Sequence, residues 1–134
     1  MGTKPSIPQK LPFLWRFRKT IHPVMTKRRK MKMYQDLVSS FRTAPRDVHT
    51  VPTDGREPVW FYTYVQRGAL YVESGRDHSP KSRISGRHRI NEAEYEVMLN
   101  LYHRRKRGEA VSREASEATL CQVYWYGIFA DLGL

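Results

Sequence analysis

Glu73, Asp77, His78 and Lys81 fall within nine consecutive residues and combine the side-chain types that move protons or hold a divalent cation. Those types would suit a metal-assisted nuclease or general acid and base work. Their spacing matches no metal or nuclease template, so a metal-assisted nuclease is the weakest of the functional readings. The histidines His22, His49, His78, His88 and His103 are scattered. None lies at i, i+4 from another or beside a CxxC pair, which argues against a zinc site. There is no Gly-rich phosphate loop and no G-x-S-x-G, and no cofactor is expected.

A different chemistry is suggested by Trp60, Tyr62, Tyr64 and Tyr71, which precede a basic stretch holding Arg76, Lys81, Arg83, Arg87 and Arg89 against one acid, Asp77. Aromatic rings on one face of a sheet can stack the bases of a single strand, and neighbouring cations can bind its phosphates. Such rings more commonly fill a core, so this use requires them to be exposed. Arg87, His88 and Arg89 also stand just before a helix start, where an anion could meet free amides, although Glu92, Glu94 and Glu96 oppose it.

The net charge of +11 is concentrated at one end of the chain. Ten of the 24 Lys and Arg residues precede the first acid, Asp36, and the remaining 14 nearly balance the 13 acids. The run Lys27, Arg28, Arg29 and Lys30 is too charged to be buried. Residues 1–32 also carry Pro5, Pro8, Pro12 and Pro23, which discourage a continuous helix, so they read as an extended basic arm with an aromatic cluster at Phe13, Trp15 and Phe17. Mobile cations without nearby acids bind polyanions by releasing counterions. A mitochondrial presequence shares the basic, acid-poor character, while the prolines and scarcity of serine speak against it.

Residues 33–134 must supply whatever positions these groups. Met33, Tyr34, Leu37, Val38 and Phe41 recur at helical spacing, and Pro45 ends that helix. The stretch to Glu57, with Pro52 and Asp54-Gly55, reads as a loop. Val59–Val65 and Ala69–Glu73, reversing at Arg67-Gly68, read as a β-hairpin with Tyr64 opposite Tyr71 and Val65 opposite Leu70. One face then carries Trp60, Tyr62, Tyr64 and Tyr71, and the more aliphatic face carries Phe61, Thr63, Val65, Leu70 and Val72. The aliphatic face is the better core candidate.

The polar segment after Ser74 reads as a loop up to Asn91, which with Glu94 resembles a capping box opening a helix. Tyr95, Met98, Leu99 and Tyr102 form the buried stripe of that helix, widened by Val97 and Leu101, and Gly108 stops it. A last helix is expected from Ser112 to about Asp131, with Ala115, Thr119, Val123 and Tyr126 along one side. A strand at 123–129 is the alternative. The two helices around Gly108 could form a helix-turn-helix presenting Arg113, Ser116, Thr119 and Gln122, but the apolar density after Leu120 fits a buried helix better.

The expectation is an α+β fold: a β-hairpin in a small antiparallel sheet packed by about three helices, with the basic arm appended. The lone Cys121 lies in an apolar stretch and reads as a buried free thiol of a reducing compartment, the cytoplasm. The charge-free stretch 118–130 is well short of the roughly 20 residues that span a bilayer. No membrane partner and no export are expected. The functional expectation is a non-enzymatic nucleic-acid-binding or polyanion-binding protein whose site comprises Lys27, Arg28, Arg29, Lys30, Arg76, Lys81, Arg83, Arg87, Arg89, Trp60, Tyr62 and Tyr64. The alternative is a protein-interaction module or homodimer that uses the aromatic hairpin face.

Overall fold

Residues 33–134 are described by a computed structural model, in which α1 (Tyr34–Thr43) leads into four strands, β1 (Arg46–His49), β2 (Trp60–Gln66), β3 (Ala69–Ser74) and β4 (His88–Ile90). A single 3-10 turn (Glu92–Glu94) then opens α2 (Tyr95–Lys106), followed by α3 (Ser112–Ala118) and α4 (Gln122–Asp131). The basic run at Lys27–Lys30 and the reading of 1–32 as an extended arm lie outside the described residues. The strands form an antiparallel meander in the order β1-β2-β3-β4. This is an α+β fold.

The hairpin has the expected register, with Tyr64 opposite Tyr71 and Val65 opposite Leu70. Arg67 and Gly68 both take positive φ, 53° and 77°, as a two-residue primed turn requires. Strand parity then divides the side chains. Phe61, Thr63, Leu70 and Val72 are fully buried, joined by Val48 of β1 and Ile90 of β4. They meet Leu37, Val38 and Phe41 of α1 and Trp125 and Phe129 of α4 in one core.

Two strands lie where loops are expected. β1 and β4 are three or four residues long, and each has one apolar residue, Val48 or Ile90. Composition does not mark them as strands; they form because the hairpin edges offer unpaired backbone groups to any segment held alongside. Tyr34 fixes the β4 edge. Its hydroxyl donates to the Ile90 carbonyl at 2.6 Å and accepts from the Leu70 amide at 3.0 Å, and burial raises its pKa.

The helices differ from expectation in detail. Met33 and Val97 are exposed, whereas Leu101 is buried. Asn91 caps through the Ala93 amide at 3.2 Å. Glu94 turns inward instead of completing a capping box: its Oε1 accepts from the Thr119 hydroxyl at 2.7 Å and from the Trp125 indole at 3.0 Å. The single last helix is in fact two. Thr119 is extended (φ −160°, ψ 157°), and its hydroxyl accepts the Cys121 amide at 2.9 Å, so the chain leaves one helix and re-aims into the next. Residues 122–131 are helical, Cys121 is a buried free thiol, and Val123 is exposed. Thr119 is buried, so it cannot present itself to a groove as a helix-turn-helix would require.

Candidate nucleic-acid interface

The helices cover one face of the sheet, and parity turns Tyr62, Tyr64 and Tyr71 to the other, where all three are half-buried. Their rings stack in a row: Tyr62 on Tyr64 with centroids 5.7 Å apart, and Tyr64 on Tyr71 at 5.9 Å. A guanidinium closes each end. Arg76 sits over the Tyr62 ring at 3.8 Å, and Arg87 over the Tyr71 ring at 4.2 Å. These are favourable cation–π contacts, and at partly exposed positions each contributes about 0.5–1 kcal/mol.

Neighbouring groups hold both end arginines. Arg76 pairs with Glu73 at 3.2 Å, and Arg87 donates to the Gln66 side-chain carbonyl. Hydrogen bonding raises the pKa of each, to Glu73 in the first case and Tyr64 in the second. Arg89 stands opposite Tyr71 in the ladder and therefore on the same face. Among the described residues, Lys81, Arg83 and Arg89 have no carboxylate within ion-pair distance. Arg83 is exposed, and no contact brings it to the row.

Trp60 belongs to a separate group at the β1 side of the face. Its ring stacks on His78 with centroids 4.0 Å apart and meets the edge of His49 at 5.0 Å. The backbone of Trp60 also anchors the following loop. Its N–H donates to the Pro80 carbonyl at 2.8 Å, and its carbonyl accepts from Ser82 at 2.7 Å and Gly75 at 3.1 Å. A Cβ on Gly75 would stand 2.8 Å from that carbonyl, so the close approach requires glycine.

The carboxylate that organises this region is Asp47, in the segment expected to be a loop. Its Oδ1 and Oδ2 accept the Arg76 amide at 2.9 and 3.1 Å, and Oδ2 also accepts the Asp77 amide at 2.7 Å and the His78 amide at 3.0 Å. The same oxygen lies 2.9 Å from His78 Nδ1, and the carboxylate side chain is 1% exposed. Burial alone would raise its pKa, but these donors outweigh burial and hold it below the ordinary carboxylate value. Of the cluster read from sequence, His78 is joined to this centre, Glu73 serves Arg76, and Asp77 contributes only its backbone amide.

Among the described residues, no three His, Cys, Asp or Glu side chains gather to hold a metal ion. A cavity of about 410 Å³ opens between the 52–56 segment and helices α2 to α4, lined in part by Arg105 and Tyr126, and shares no residue with the row. No described helix is long and apolar enough to cross a membrane. No family model, curated protein or solved structure matches the chain.

Proposed function

We propose that this protein binds nucleic acid, and that the face of the sheet opposite the described helices is the contact surface. The observation that carries this reading is the row Arg76, Tyr62, Tyr64, Tyr71 and Arg87, whose two cations stand at its ends on the sheet face opposite the described helices. The tyrosine faces are occupied by one another and by the arginines, so the row differs from an open stacking platform. Guanidinium groups bind phosphate oxygens in a fork and can stack on bases, so a strand lying along the row would meet one at each end. Lys81 and Arg89, with no ion-pair partner among the described residues, add sequence-independent attraction, and the basic residues 27–30 would add more of the same kind. The unpaired, buried Cys121 supports a reducing compartment, which we take to be the cytoplasm.

The test is the salt dependence of binding to a labelled single-stranded oligonucleotide, for the full chain and for Arg76→Ala/Arg87→Ala. Affinity should fall steeply with salt, and loss of two phosphate contacts should lower the log–log slope by about 1.4. An unchanged slope refutes the role of the row. A dimer that persists in high salt and ignores the oligonucleotide would instead assign the face to a second copy of the chain.

A further inference from the structure

His78 is half-exposed, yet it is fixed on two sides: Nδ1 is held by Asp47 and one ring face lies against Trp60. Holding an exposed side chain in one rotamer costs conformational entropy, and an imidazole oriented by a buried carboxylate is the arrangement that acid–base chemistry uses. An ionised Asp47 can only accept, so it takes the hydrogen bond from Nδ1–H, and in the neutral tautomer this fixes, Nε2 carries the lone pair. No described group bonds Nε2. We propose that His78, positioned by Asp47, is a general base that cleaves single-stranded RNA lying across the sheet. This rests on the nucleic-acid reading above.

The choice of RNA follows from the nucleophile. The Ser74 hydroxyl donates to the Ser82 carbonyl at 2.8 Å, and the Ser82 hydroxyl shares a hydrogen bond with the Tyr124 hydroxyl at 2.9 Å. No described protein hydroxyl is bonded to the imidazole, so the attacking oxygen is a water or a substrate hydroxyl; the proposed one is the ribose 2′-OH, and comparing RNA with DNA separates it from water. His78 Nε2 takes the 2′-OH proton, O2′ forms a bond to the adjacent phosphorus, and the P–O5′ bond breaks. The leaving O5′ takes a proton from water, and His78 returns its proton to solvent. The products are a 2′,3′-cyclic phosphate and a 5′-hydroxyl. Arg76, two residues before His78, supplies positive charge on the same face.

The experiment uses the full chain, a single-stranded RNA and the DNA of the same sequence, with a chelator present. RNA should be cut to cyclic-phosphate ends while DNA is bound and left intact. His78→Ala should lower the cleavage rate about 100-fold or more and keep its DNA affinity, and added imidazole should restore part of the rate. Asp47→Asn should lower kcat roughly 10- to 100-fold and, because Asp47 also accepts the Arg76 amide, raise KM by a smaller factor, whereas Arg76→Ala should raise KM with kcat nearly kept. RNA that is bound but left intact overturns the inference and leaves the binding reading standing. Failure to bind either strand removes both. Cleavage that survives His78→Ala, or that stops with the chelator, also overturns the inference.

Discussion

Asp47 holds the residues after β3 in place by accepting three consecutive amides and an imidazole. Because these donors favour its charged form, its folded pKa lies below the unfolded value of about 3.9, and its contribution to stability is present above that pH. The contribution is lost as pH falls through the folded value. On acidification below about pH 4, the amide resonances of Arg76, Asp77 and His78 should move together toward random-coil positions, ahead of core amides such as Leu70. Amides that stay in place until global unfolding would contradict this. The sequence grouped His78 with Glu73, Asp77 and Lys81 because the four are close along the chain. The true partner is 31 positions away and was legible only once β1 was known to pair with β2.

At the scale of elements, α4 lies close against the sheet at Gly127, where an added Cβ would stand 2.7 Å from the His49 carbonyl and 2.9 Å from the Phe61 ring. Neither the backbone of β1 nor a fully buried ring can yield cheaply. Gly127→Ala should therefore destabilise the fold by roughly 1–3 kcal/mol, read from the midpoint of urea unfolding. An unchanged midpoint would show that the helix can shift. The hairpin was readable to the register because its aromatic and β-branched alternation and its turn pair agree. β1 and β4 were not, because backbone pairing alone defines so short a strand. The break between α3 and α4 was hidden as well: no Gly or Pro marks it, and it depends on the hydroxyl of Thr119 bonding a distant Glu94 and its own Cys121 amide.

Across residues 33–134 the 14 basic and 13 acidic side chains nearly cancel in number, but the ion pairs are unevenly placed. Arg104 joins α2 to Glu109 and Glu114 at 2.8 Å each, and Arg46 ties β1 to Asp131 of α4 at 2.5 Å. These pairs tie helices to one another and to β1, whereas Lys81 and Arg89, like Arg42 and Arg105 of the helices, have no carboxylate partner among the described residues. The total charge could be read from sequence; which cations remain uncommitted could not, because that depends on tertiary pairing. The sheet face opposite the described helices is the surface proposed to receive the nucleic acid. Titrating the isotope-labelled full chain with a short single-stranded oligonucleotide, and following amide shifts residue by residue, tests it most directly. The largest changes should fall at Tyr62, Tyr64, Tyr71, Arg76 and Arg87; changes confined to α2, α3 and α4, or no changes at all, would contradict it.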